Sequence, residues 1–201
     1  MNISNLNLHN IRNSVYFGKS LVASCKLPRK SGIPLPCKIY EINTTEDRDY
    51  FVKLTQKDIW RGGSYVWEMD DEFNSEVWGQ KTYVMENKSG KCLGYIAVGT
   101  DFDDLNKDGI AYLETCPKYK SANSKRTIKY IGETLLAFAV KIAQKNNMET
   151  VRIPVWASTA EDFYKENCGF KEDEYGLYLN SSEFQTFLSK NEAHTKSEIL
   201  L

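Results

Sequence analysis

In this 201-residue chain the side chains best suited to chemistry gather between residues 110 and 134. A β-rich run, IAYLETC, stops at Pro117 and opens into a polar loop bearing Lys118, Lys120, Lys125, Arg126 and Lys129. The loop leads into a helix. The free amide N–H groups of a first helical turn, with the positive end of the helix dipole, attract anions. Five cations within twelve residues add to that pull, and Gly132 allows close backbone approach near the helix start. Glu114 is the lone carboxylate inside the strand. Alternation puts it on one face with Tyr112 and leaves Leu113 on the other. Packing does not explain a charge in that company; a lysine or arginine partner at the strand end, or a solvent-facing position, is the bland alternative. Cys116 has the chemistry of a nucleophile, yet the only histidines are His9 and His194, neither near it in sequence.

A second concentration lies at 60–78. Trp60, Trp67 and Trp78, three of the four tryptophans, are interleaved with Glu68, Asp70, Asp71, Glu72 and Glu76. Acid and aromatic groups together suit a cationic amine, through charge and cation–π contact. Core tryptophans beside a solvated acidic face account for the same residues. Trp67, Asp70 and Asp71 are the candidate substrate contacts.

Two stretches resemble the GNAT family of acyl-CoA-dependent N-acetyltransferases. The window Thr127-Ile128-Lys129-Tyr130-Ile131-Gly132, followed by Leu135-Leu136 and Ala139, is similar to the family's Q/R-x-x-G-x-G/A turn and LLxxAxxxA helix, which bind the pyrophosphate of coenzyme A. Thr127 stands where Gln or Arg is usual and Tyr130 stands at the first Gly, which shifts the expected grip onto Lys125, Arg126 and Lys129. Downstream, VRIPVWASTAEDFYKENCGF resembles the family's strand, A-x-x-F-Y and G-F sequence. Ala160, Phe163, Tyr164, Gly169 and Phe170 match. One extra residue separates Tyr164 from Gly169, and Ala157 replaces a frequent Asn. The two stretches span about residues 83–180.

The resemblance implies acetyl-CoA as co-substrate. Its pantetheine arm would lie along the backbone of Thr115 and Cys116 and beside Phe163. Its phosphates would meet the loop and first turn, from Lys125, Arg126, Lys129 and Tyr130 through Ile131, Gly132, Glu133 and Thr134. The resemblance also implies an oxyanion donor from a bulged central strand at Thr115-Cys116, Tyr164 as the acid, and an acceptor pocket built by the segment after the first helix. The chemistry can be reasoned independently. An amine with a pKa near about 10.4 must lose a proton before it attacks a thioester. A base therefore belongs beside it, and the tetrahedral oxyanion needs a preorganised donor. Glu114 is the candidate base, and direct transfer without an acyl-enzyme is expected.

The elements that must hold these groups follow from periodicity and breakers. KIYEIN reads as a strand, and Thr44 with Asp47 opens a helix to about Trp60. KTYVME and KCLGYIAV flank an NKSG turn, a hairpin signature. Ile128, Ile131, Leu135, Phe138, Ala139, Ile142 and Ala143 recur at helical spacing, predicting a helix over about 127–145 closed by Asn146-Asn147. Further strands are expected at 150–157 and 175–180, with helices at 159–166 and 181–190. The last is opened by Asn180 with Glu183 three residues on. Strands alternating with helices, together with hairpins, indicate an α/β (α+β) fold. It has a mixed, mostly antiparallel central sheet flanked by helices and splayed between the strands at 110–116 and 150–157.

Composition bounds the remaining choices. The length suits one domain. Residues 1–36 read as a basic extension ending in the Pro-rich LPRKSGIPLP, 37–190 as the catalytic domain, and 191–201 as a polar, frayed tail. Residues 1–40 carry six cations and no acid, while the rest holds 20 basic and 27 acidic residues. A pI near 6.2 opposes a dedicated nucleic-acid binder. Five cysteines without CxxC suggest reduced thiols in a cytoplasm. No metal site, secretory signal or membrane span is indicated. The expected activity is acetyl transfer from acetyl-CoA to a small basic amine or a lysine-bearing peptide, by a monomer or homodimer. A toxin-like acetyltransferase acting on aminoacyl-tRNA and a non-catalytic acyl-CoA-binding module are the alternatives.

Overall fold

The computed structural model describes residues 19–42, 80–99, 108–119, 125–153, 158–194 and 196–199. Among the described residues nine strands form one sheet: β1 (Lys19–Leu27), β2 (Leu35–Ile42), β3 (Gln80–Asn87), β4 (Cys92–Gly99), β5 (Asp108–Thr115), β6 (Thr150–Ile153), β7 (Lys171–Asp173), β8 (Gly176–Asn180) and β9 (Lys196–Ile199). Their order is β7-β8-β6-β5-β4-β3-β2-β1-β9, antiparallel except between β5 and β6. The helices are α1 (Ile131–Lys145), α2 (Ser158–Asp162) and α3 (Ser181–His194).

α1 is the helix that the apolar spacing predicts. Leu135, Leu136, Phe138, Ala139, Val140 and Ala143 are fully buried. Each of the larger side chains contributes about 2 kcal/mol of burial energy. Phe138 meets Tyr83 of β3 edge-on, with ring centroids 4.8 Å apart. The helix begins at Ile131, four residues later than its periodicity suggests, because Tyr130 sits at φ 61° in the left-handed region and cannot belong to it. Its end follows expectation: the Asn146 backbone N–H and side-chain amide both donate to Ile142 O, and Asn147 turns left-handed at φ 54°. α3 opens as expected too, with Asn180 N–H donating to Glu183 Oε2 at 3.3 Å.

The β3–β4 hairpin is closed by Asn87, whose Oδ1 accepts from Ser89 N–H, Ser89 Oγ and Lys91 N–H. β4 is buried along its whole length. Gly94 on β4 lies under α1, where an added Cβ would stand 2.8 Å from Glu114 O and 3.0 Å from Leu135 Cδ1.

Sheet pairing extends beyond both expected boundaries of the central domain. Residues 19–27 form β1, paired along its length with β2, so sheet structure starts well before Cys37. The Pro-rich stretch is the hairpin connection between them. Residues 196–199 form β9, which pairs antiparallel with Ala23–Lys26. The apparent basic arm is therefore partly sheet. Lys19 is buried against Glu86 at 2.5 Å, the side chains 6% and 7% exposed. β7, too short and polar to show periodicity, was not expected. The strand expected at 150–157 is described as β6 to Ile153, and 154–157 lie outside the described residues. So do the helix expected from Thr44 to Trp60 and the cluster with Trp67, Asp70 and Asp71. Among the described residues no helix is long and apolar enough to cross a membrane.

Candidate functional site

Among the described residues β5 and β6 pair through Asp108–Ile110 with Thr150–Arg152, and β5 continues to Thr115 alongside β4. Beyond that stretch, Cys116 N–H donates to Leu93 O at 2.9 Å. Antiparallel ladders alternate their bonding, so the backbone of Glu114 also addresses β4, and that of Leu113 and Thr115 turns away from β4. The ladder between β3 and β4 skips Leu93, so the bulge lies on β4 rather than at Thr115-Cys116.

α1 points its N-terminus at the same place. Helix geometry leaves the amides of the first turn, Ile131 and Gly132 among them, without an acceptor four residues back. Gly132 faces the end of β5: an added Cβ would lie 3.4 Å from Phe163 Cζ, 3.6 Å from Thr115 Oγ1 and 3.7 Å from Leu113 Cδ2. Thr115, Gly132 and Phe163 are thereby brought together. Before the helix, Lys125 and Lys129 are exposed and Arg126 and Tyr130 half-buried. The left-handed Tyr130 occupies the position where the family turn has glycine; holding a residue with a Cβ there costs about 1–2 kcal/mol.

Glu114 stands on the face of the sheet away from α1. It is directly opposite Tyr95, in a row that runs from Leu21 through Tyr40, Val84 and Tyr95. Residues paired this way share a face. Val84, Tyr95 and Cys116 form a small buried cluster there, with Tyr40 and Tyr119 against it. The Oε1 atom of Glu114 is shielded from solvent.

Tyr164 belongs to the α1 side. It is buried, with its ring 5.0 Å from Phe163 and 5.7 Å from Phe170. These aromatics sit where α2 widens into a π turn, Phe163–Asn167. A π turn holds one more residue than an α turn, which accommodates the residue inserted before Gly169. Glu114 and Tyr164 thus flank opposite faces of the sheet.

Two expected cofactor contacts have polar groups engaged within the fold. Cys116 has its N–H on Leu93 O and its carbonyl on Tyr119 N–H, and only 1% of it is exposed. Thr134 is buried, and its N–H and hydroxyl both donate to Tyr130 O, at 3.1 and 2.5 Å. Ile131 is buried as a side chain and presents only its backbone amide. Sequence reasoning missed Gly94, although a glycine inside an apolar strand is a signal of close approach. It also missed Pro28–Lys30, which pair with residues 127–129.

At the level of sequence, no protein-family model and no curated protein matches the chain. Solved structures do. Mycobacterium smegmatis RimJ in complex with CoA-disulfide is 9% identical and superimposes with a TM-score of 0.55, covering 86% of this chain and 95% of that one. A GNAT-family acetyltransferase from Staphylococcus aureus Mu50 is 15% identical, with a TM-score of 0.52 over 72% and 99% of the two chains. A variant of spermidine N-acetyltransferase SpeG from Vibrio cholerae is 14% identical, with a TM-score of 0.50 over 74% and 95%. The chain has the acyl-CoA N-acyltransferase fold of GNAT enzymes.

Proposed function

We propose that the protein is an N-acetyltransferase that moves an acetyl group from acetyl-CoA to a small primary amine by direct attack. The observation that carries this reading is the meeting of Thr115 at the end of β5, Gly132 at the α1 N-terminus and Phe163. A thioester seated there presents its phosphates to the α1 amides and to Lys125, Arg126 and Lys129. Its pantetheine arm runs along the outward backbone of Leu113 and Thr115. The RimJ structure, solved with CoA-disulfide, supports a coenzyme A ligand, and the SpeG likeness supports a polyamine as acceptor class. Trp67, Asp70 and Asp71 are proposed to hold that cation.

In the reaction the amine nitrogen attacks the thioester carbonyl. Glu114 takes the amine proton, directly or through water, and the Thr115 N–H donates to the oxyanion. As the carbon–sulfur bond breaks, Tyr164 gives its proton to the departing thiolate. The products are an amide and free coenzyme A. Placement of Glu114 and Tyr164 on opposite faces suits acceptor and thioester entering from opposite sides.

Calorimetric titration with acetyl-CoA, followed by a screen of amines led by spermidine with detection of released thiol, tests the proposal. Saturable heat and amine-dependent thiol release are expected. No heat with acetyl-CoA would overturn it, and binding without release to any amine would favour the non-catalytic module.

A further inference from the structure

The connection between β1 and β2 reaches across to the loop before α1. Lys30 N–H donates to Thr127 O at 3.1 Å, and Lys129 N–H donates to Pro28 O at 3.3 Å. Arg29 and Ile128 thereby form an isolated antiparallel bridge. The tip is itself a tight turn, closed by Gly32 N–H on Arg29 O at 2.9 Å. Beyond Lys129 comes Tyr130 at φ 61°, then the helix. A strained backbone of this kind persists only where its surroundings over-determine it. Here the surroundings on one side are the bridge and on the other the Thr134 N–H and hydroxyl, both on Tyr130 O.

Resting on the acetyl-CoA reading above, we propose that Pro28–Lys30 is a positioning element for the phosphate loop. The tip clamps the backbone of Thr127–Lys129 and holds the chain in the left-handed turn at Tyr130. It thereby aims the Ile131–Glu133 amides at the phosphates. It touches no reacting atom. It gives the Pro-rich stretch a use that a linker would not have, since Pro28 supplies a carbonyl on a stiffened backbone. Segments far apart in sequence thus build one anion site, and the loop needs no glycine at Tyr130 because the bridge supplies the constraint.

Lys30 follows Arg29 in the turn, at the position where proline is favoured, so Lys30→Pro suits the turn and removes the N–H that grips Thr127 together with the side-chain ammonium. The wild type and this variant are titrated with acetyl-CoA and with acetyl-pantetheine, which lacks the nucleotide phosphates. The variant is expected to bind acetyl-CoA roughly fivefold more weakly, the scale of one hydrogen bond, with acetyl-pantetheine affinity unmoved. Lys30→Ala, which removes the ammonium but keeps the N–H, is expected to show less than half of that weakening. Equal losses in the two variants would assign the effect to the ammonium charge and overturn the positioning role. So would equal weakening for both ligands, or Lys30→Pro binding as well as wild type. Should the variant not fold, amide hydrogen exchange on the wild type decides. Slowing of the Lys30 and Lys129 amides by acetyl-CoA but not acetyl-pantetheine is expected, and no slowing overturns the proposal. A wild type that binds no acetyl-CoA is a separate outcome, which removes the acetyl-CoA reading and this inference with it.

Discussion

Lys19 of β1 reaches across β2 to Glu86 of β3, Nζ to Oε1 at 2.5 Å, passing 4.6 Å from the centre of the Tyr40 ring. The pair is buried on the same face as Glu114 and Tyr95, where ions are costly unless matched. Truncating one member strands the other. Lys19→Met is therefore expected to lower stability by about 3–5 kcal/mol in urea unfolding, whereas Lys19→Met combined with Glu86→Leu recovers most of the loss. A double variant as unstable as the single would show that the pair is not what matters.

Gly94 has no room for a methyl group. A Cβ there meets a carbonyl oxygen at 2.8 Å, and backbone does not yield as a side-chain tip does. Gly94→Ala should cost about 2–3 kcal/mol by thermal melting. Gly132→Ala meets ordinary contacts from 3.4 Å upward and should fold like wild type. Equal melting temperatures for all three proteins would refute this distinction.

Tyr130→Gly relieves the left-handed strain at φ 61°. Glycine is expected to offset the lost ring contacts by about 1 kcal/mol, leaving the melting temperature close to wild type. Tyr130→Val, with a β-branched side chain at positive φ, should be clearly less stable and bind acetyl-CoA more weakly. The order Gly above Val is the test.

All five cysteines are buried free thiols. Burial first, then the Glu133 charge, pushes the Cys168 thiol from 9.0 up to about 12, with Lys190 opposing. Cys37 is raised too, first by its hydrogen bond with Cys25 and then by burial. Above pH 9 the unfolded thiol releases a proton that the folded one keeps, so the folded state binds more protons and stability falls with rising pH. For Cys168 the slope is about 1.4 kcal/mol per pH unit through its window from pH 9 to 12. Cys168→Ala should flatten the stability–pH curve there. Fast reaction of the native thiols with a disulfide reagent at pH 8 would contradict the burial.

Glu114→Gln removes the proposed base while keeping size. Once an acceptor is found, kcat should fall about 10²–10⁴-fold with acetyl-CoA affinity unchanged. Tyr164→Phe keeps the ring packing against Phe163 and Phe170 and should lower kcat. Full turnover in both variants would remove these roles.

The central helix, the β3–β4 hairpin and the strand bearing Glu114 were legible because each depends on local rules: helical spacing from Ile131 to Ala143, Asn and Gly in a turn, β-rich residues before a proline. β1 and β9 were not, since KSLVASCKL and KSEI acquire their meaning only from partners far away in sequence. Cations at Lys19 and Lys26 suggested a solvated arm, and only the fold reveals the carboxylate that Glu86 brings. The candidate site divides the same way. Gly132 and Phe163 could be placed by motif order, but the engagement of Cys116 and Thr134 within the fold depends on hydrogen bonds that no residue type announces. Tyr130 looked like a defect in the turn, and its φ shows it taking the shape that a glycine would.

The meeting of Lys196–Ile199 with Ala23–Lys26 sets an order on biosynthesis. A ribosome delivers β1 well before β9. Until β9 arrives β1 can pair with β2 alone, and its outer ladder stays available to any passing strand. The nascent protein thus carries an open edge from the pairing of β1 with β2 until β9 emerges to cover it.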